Sequence, residues 1–270
     1  MLRVPPRLGA SAVALLATAL IAGCGGDDDE DAPARAEGTA TPTPAATNPP
    51  HGPDKETGPK PPHVPKPPPA PRAKDVTFAA ADGEPVTAQF IAAGRKAPAV
   101  VLLHEIRGGP DQWEELVAYL HAAGFATLAY QSRPGALEKE RLPDALGAVR
   151  WLRRRDDVDP QRLALVGASI GASTTVLAMA TGARTAADAA VALSPPDSGD
   201  IWALQDDGEY RPHDVLFVAD AREAYSAESM LDGAVRSEFL ASEGPGHGVQ
   251  LLKEQGVRDA VLAWLEERVR

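Results

Sequence analysis

Residues 163–180 read LALVGASIGASTTVLAMA, and the reading of this stretch decides the fold. The apolar run Leu163 to Val166 has the composition of a strand buried on both faces. The alanine-rich run that follows Ser169 has that of a helix, predicted over 169–181. Between the two the chain must reverse sharply, with Gly167 and Gly171 two positions either side of the serine. The requirement is steric: a serine at such a turn is strained, and its neighbours at ±2 must be small to avoid collision. The hydroxyl then stands at the carboxyl end of a strand and the N-terminus of a helix, whose dipole favours negative charge.

Outward from this point, apolar runs alternate with amphipathic ones. Upstream, "DVTFAA" and "PVTAQFIAA" alternate in the β manner around Asp82-Gly83, a hairpin signal. "APAVVLLHE" reads as a buried strand, "DQWEELVAYLHAA" as a helix capped by Asp111 and stopped at Gly124. "FATLAY" is a strand and "LPDALGAVRWLRRR" a helix. Downstream, "AADAAVALSP", "HDVLFVAD" and "RSEFLAS" read as strands, "SAESMLDGAV" as a helix, and residues 249–269 as one closing amphipathic helix. Strand and helix alternate from about residue 98 onward. That pattern predicts a mostly parallel sheet with helices on both faces, right-handed crossovers and an antiparallel start. The connections are short, so little or no lid is expected.

Gly167-Ala168-Ser169-Ile170-Gly171 matches G-x-S-x-G and, in its strand–turn–helix setting, resembles the nucleophile elbow of the α/β-hydrolases. The resemblance implies an α/β-hydrolase fold over residues 74–270 and a chain order of serine, acid, histidine. A serine hydroxyl needs a base to act as a nucleophile. The downstream histidines are His213 and His247. His213 precedes a strand, the wrong place for a base. His247, in the loop "EGPGHGVQLL" between the last strand and the last helix, stands where this fold presents its general base. The acid is expected after the strand before the last, where Asp220 and Glu223 are both candidates; Asp197, after the preceding strand, is a third. The oxyanion donors implied are the backbone amides of Ile170 and Ile106, with His104 shaping the second loop.

Within the superfamily, "VVLLHEIRGGPDQWEELVAYLHAAGFATLAY" looks like the opening of dienelactone hydrolase-like proteins, and "GHGVQLL" is similar to the histidine segment of related esterases. That family typically carries a cysteine nucleophile, where this chain has Ser169. Its glutamate that contacts the nucleophile matches Glu105, which here either bonds Ser169 or caps the loop. Its substrate-binding arginine corresponds loosely to Arg133, with the spacing shifted by one. The serine and the shift favour a general ester over a dienelactone.

The N-terminus has a different texture. "MLRVPPRLGASAVALLATALIAGC" places Arg3 and Arg7 ahead of a short apolar core and ends in Leu20-Ile21-Ala22-Gly23-Cys24, which looks like the lipobox of bacterial lipoproteins. The resemblance implies a signal peptide over 1–23 and lipidation of Cys24, the single cysteine, so that no disulfide forms within the chain. Residues 41–72 hold 13 of the 26 prolines, which remove amide donors and fix φ, so residues 24–73 read as an acidic, proline-rich tether. The net charge is −11 and the sequence shows no basic stripe of the kind a nucleic-acid partner needs, so no such partner is expected.

The residues together predict an exported, lipid-anchored serine esterase acting on a small or envelope ester, with no cofactor or metal implied. His51, His63 and His121 lack metal-like spacing. The alternatives are a non-catalytic hydrolase-fold lipoprotein that binds a ligand or envelope partner, and an acyltransferase using the same residues. Oligomeric state is not written in the sequence.

Overall fold

A computed structural model describes residues 66–181 and 186–269. The expectations for the signal peptide, Cys24, His51, His63 and the tether up to residue 65 lie outside the described residues.

Among the described residues eight strands form one sheet: β1 (Lys74–Ala79), β2 (Pro85–Ile91), β3 (Ala97–Leu103), β4 (Ala126–Tyr130), β5 (Val158–Ala168), β6 (Ala189–Leu193), β7 (Val215–Ala219) and β8 (Glu238–Ala241). The spatial order is β1-β2-β4-β3-β5-β6-β7-β8. β1 and β2 pair antiparallel, as do β2 and β4; every pairing from β4–β3 to β7–β8 is parallel. The helices are α1 (Glu114–Ala122), α2 (Glu138–Arg153), α3 (Ile170–Thr181), α4 (Gly199–Asp206), α5 (Ala224–Leu231) and α6 (Gln255–Val269). Short connections join these elements, and among the described residues no lid domain is inserted.

The strand period of two sorts the core into two layers. Val101 and Leu103 of β3, with Leu163 and Leu165 of β5, face a cluster closed by Ala148 and Leu152 of α2, Val176 and Met179 of α3, and Met230 of α5. Val100 and Leu102, with Ala164 and Val166, face the other side, closed by Leu116 and Leu120 of α1 and by Val261 and Leu265 of α6. Every residue of β3, β4, β6 and β7 is buried, in keeping with their near-continuous apolar sequences, interrupted only by Thr127 of β4.

Three local readings are corrected. The segment "GDIWALQD", assigned to no element in the sequence, is α4; the hydroxyl of its N-cap Ser198 accepts from the Ile201 N–H at 3.4 Å. The closing helix is not continuous: residues 248–253 form a 3-10 helix, and α6 starts at Gln255. The break falls at Glu254, whose carboxylate accepts from Ser242 Oγ at 2.6 Å and the Gly244 N–H at 3.2 Å. The second helix begins at Glu138 rather than Leu142, with Pro143 inside it. The folded body also takes in part of what the composition reads as tether, because Ala70 and Ala73 pack against the α1/α6 core layer.

Candidate active site

Ser169 stands alone between the last residue of β5 and the first of α3, at φ +53°. A non-glycine residue in this left-handed region costs on the order of 1–2 kcal/mol, so its surroundings must impose it. They do so from two sides: the Ser169 N–H donates to the Leu193 carbonyl at 2.8 Å, while its own carbonyl accepts from the Ala172 and Ser173 N–H groups. The flanking glycines are required by space rather than by φ. A Cβ on Gly167 would lie 2.1 Å from the Gly171 carbonyl oxygen, and one on Gly171 would lie 2.2 Å from that of Leu103. This close approach sets the elbow against the end of β3, beside the loop that carries His104, Glu105 and Ile106.

That loop is held by a buried histidine. His104 Nε2 accepts the Ser132 N–H at 2.9 Å, so the ring proton is on Nδ1, which donates to the Glu105 carbonyl at 2.5 Å. Burial pushes the His104 pKa below its ordinary value, in keeping with this neutral tautomer. The buried Arg141 donates to the His104 carbonyl at 3.1 Å, and Gln112 Oε1 accepts the Glu105 N–H at 3.1 Å. Ile106 follows with its side chain exposed.

The histidine loop enters from the other side of β5. His247 Nδ1 lies 2.8 Å from Glu223 Oε1, with the two side chains 44% and 35% exposed, so the pair is open to solvent at one edge. A carboxylate can only accept, so Nδ1 carries the proton and Nε2 is the free base position. Asp220 is turned elsewhere. Its buried carboxylate accepts from Arg222 Nη2 at 2.5 Å and from the Gly246 N–H at 3.1 Å, and the Arg222 guanidinium, then that amide, hold its pKa far below the usual carboxylate range. Of the two adjacent acids, Glu223 meets the imidazole and Asp220 ties the acid loop to the residue before it. Asp197 lies exposed in the loop after β6.

Two acceptors clamp the residues after His247. Ser194 Oγ accepts the Gly248 N–H at 3.0 Å, and Glu105 Oε1 accepts the Val249 N–H at 3.0 Å. Gly248 is at φ +56°, and a Cβ there would stand 2.1 Å from Glu105 Oε1 and 3.4 Å from the Ala168 Cβ. The histidine loop therefore packs directly on the residue that precedes Ser169. Of the two roles open to Glu105, the structure displays the loop contact. Ser194, Gln112 and Arg141 were not singled out in the sequence; a serine directly after a strand, followed by Pro195-Pro196, is the one signal that marks Ser194.

Arg133 does not hold a free guanidinium for a substrate. Both prongs are taken, by Asp82 at 2.6 Å and by the buried Asp144 at 2.6 Å, so it fastens the β1–β2 turn to α2. The loose match to a carboxylate-binding arginine is thereby overturned. His213 sits at the opposite end of the sheet, with Nδ1 3.0 Å from Asp214 Oδ2. Among the described residues no group of three or more His, Cys, Asp or Glu is placed to hold a metal ion. A cavity of about 910 Å³ lies between residues 66–73, β2, β4 and α1, and borders none of Ser169, His247 or Glu223.

Comparison with known proteins agrees with this architecture. No family model matches the chain. An uncharacterized protein of Mycobacterium tuberculosis is 35% identical over 89 residues, which cover 31% of this chain and 32% of that one, so the chain spans about a third of the curated relatives it matches. Among solved structures, an esterase of Pyrococcus furiosus superposes with a TM-score of 0.60 at 15% identity, covering 73% of this chain and 92% of that one. A dienelactone hydrolase of Anabaena variabilis gives 0.59 at 15% identity, covering 74% and 100%. An esterase of Pyrobaculum calidifontis gives 0.58 at 17%, covering 74% and 86%. At such identities the likeness is one of fold: the chain has the α/β-hydrolase fold, similar to that of a dienelactone hydrolase.

Proposed function

We propose that this chain is a serine hydrolase that cleaves carboxylic esters through an acyl-enzyme. The observation that carries the reading is the 2.8 Å contact of His247 Nδ1 with Glu223 Oε1, in a loop packed against Ala168, the residue before a serine held at φ +53°. Ser169 Oγ attacks the ester carbonyl as His247 Nε2 takes its proton, and Glu223 stabilises the imidazolium that forms. The backbone amides of Ile170 and Ile106 serve as oxyanion donors, a role whose loss from one donor costs other hydrolases about 10²–10³ in rate. The carbonyl re-forms as the alkoxide leaves with the proton from His247. Water, deprotonated by the same nitrogen, then attacks the acyl-serine, releases the acid and restores the serine. An ordered acid–imidazole pair weighs against a non-catalytic role.

The N-terminal sequence supports a place for this activity. Residues 1–23 act as a signal peptide in this reading, and lipid on Cys24 anchors the exported protein to a membrane. Labelling of the chain by an alkynyl fatty acid in a bacterial host, lost in Cys24→Ala, tests that part.

The catalytic part is tested by treating the full chain with a fluorophosphonate and mapping the adduct by peptide mass spectrometry. The adduct is expected on Ser169 and lost in His247→Ala. A folded chain that acquires none overturns the proposal, and partition of the acyl group between water and an added alcohol separates hydrolysis from transfer.

A further inference from the structure

Large apolar side chains that remain exposed are few among the described residues: Ile106, Leu137, Trp202, Tyr225 and Val235. Their placement is uneven. Ile106 follows β3, Leu137 follows β4, Trp202 is in α4 after β6, and Tyr225 is in the first turn of α5 after β7. These strands are parallel, so the four residues share the carboxyl end of the strands, where Ser169 also lies, and β5 with its serine lies in the middle of the set. At about 4.8 Å per strand, the span from β4 to β7 is roughly 19 Å. Only Val235 lies at the other end of the strands, where it is the bridge partner of His213.

Three of the segments carrying these side chains are joined to one another or to the loop between them. Lys139 of α2 lies 3.7 Å from Asp200 of α4, two residues from Leu137 and from Trp202 respectively. Ser226 Oγ, next to Tyr225, donates to the Pro195 carbonyl in the loop after β6 at 2.8 Å. The exposures, 47% for Trp202 and 79% for Tyr225, are high for side chains of this size, whose burial is strongly favourable. Such residues gathered at one end of the strands mark a place where apolar surface is covered.

We infer that Ile106, Leu137, Trp202 and Tyr225 form an apolar rim around Ser169 that takes the hydrocarbon part of the ester, so that the substrates are esters of apolar chains rather than of acetate-sized or charged acids. The inference rests on the reading of Ser169 as the nucleophile. It fixes the covering group as the substrate, since the four segments surround the residue at which the ester is cleaved.

Binding separates this inference from catalysis. Methyl ketones carry the ester's carbonyl and cannot be hydrolysed, so their affinity for the full chain is measured by calorimetry along the series from 2-butanone to 2-decanone. A fully buried methylene tightens binding about fourfold; a rim that covers half of the added chain gives at least a tenfold gain across the series. The gain is expected to collapse in Trp202→Ala combined with Tyr225→Ala and to persist in Val235→Ala. The kcat/KM values of p-nitrophenyl esters, from acetate to octanoate, should follow the same slope. A flat series, or a slope unchanged by the rim variants, overturns the rim. A slope that shows in ketone binding while no ester is cleaved and no fluorophosphonate adduct forms supports the rim and instead defeats the hydrolase reading.

Discussion

At Glu223 a single side chain separates two readings of one loop. Glu223 and Asp220 are three residues apart, and both carboxylates bond within the histidine loop, Glu223 to the ring and Asp220 to the Gly246 amide. Their removal should therefore differ in kind. Glu223→Gln leaves the imidazole without its charge partner, and kcat should fall by about 10³–10⁴ with the fold intact. Asp220→Asn keeps one acceptor oxygen, enough for the Gly246 amide or for the Arg222 and Glu223 amides but not for both sets, and it loses the charge pairing with Arg222; the ring keeps its own carboxylate, so kcat should fall less, by about tenfold. Equal losses in a steady-state comparison would refute this division of labour. Glu105 offers a second contrast. Its carboxylate holds the Val249 amide, and a bond to a charged acceptor contributes about 1.5–3 kcal/mol. Glu105→Ala should lower kcat about tenfold or more with KM little changed, while Glu105→Gln, which keeps an acceptor oxygen, should restore most of the rate. The sequence offered the elbow, a candidate base and three candidate acids, because spacing along a chain is what motifs record. It could not choose among Asp197, Asp220 and Glu223, because that choice depends on which carboxylate the loop turns toward the ring.

At the scale of elements, buried strands were the most legible, since period and apolarity mark them together. The eight residues of α4 were missed because they are short and carry no apolar stripe, with Ile201 the one fully buried residue facing the core. The break at Glu254 was missed because what stops the helix is a set of bonds to Ser242 and Gly244, remote in sequence. The β3–α1 loop carries a pH response of its own. His104 is buried with its pKa lowered from 6.5, so below that value the unfolded chain binds more protons than the folded one. Stability is thus full above pH 6.5 and declines as the pH falls from there toward the folded-state value, with a slope of up to about 1.4 kcal/mol per pH unit from this group. Protonation would also set an N–H against the Ser132 N–H, loosening the loop that bears Ile106. Denaturant unfolding at pH 8, 6 and 5 should show the decline, and His104→Gln should flatten it. Parallel slopes for the two proteins would place the acid sensitivity elsewhere.

For the molecule as a whole, the open question is where the folded body begins. Composition sets the boundary at residue 73, because prolines supply neither strand ladder nor helix. Packing moves it earlier: Ala70 and Ala73 lie against the α1/α6 core layer, and the segment walls the 910 Å³ cavity together with Ile91, Val117 and Ala129. An extended proline-rich strand can dock without hydrogen-bonded structure, since its fixed φ angles leave less conformational entropy to lose on ordering. Periodicity cannot report such a contact, which has no repeat. Two partly buried alanines contribute on the order of 1 kcal/mol at ~0.8 kcal/mol per buried methylene-sized group. For a domain of this length that amounts to about 2–4 °C in Tm. A chain that begins at Lys74 should therefore melt lower by this margin than one that begins at Pro61, and should bind more of an apolar dye as Ile91 and Val117 become uncovered. Gln112 lines the same cavity and holds the Glu105 amide, so the shorter chain should also lose some kcat through the loop it no longer steadies. Equal melting temperatures and equal rates for the two chains would return residues 66–73 to the tether.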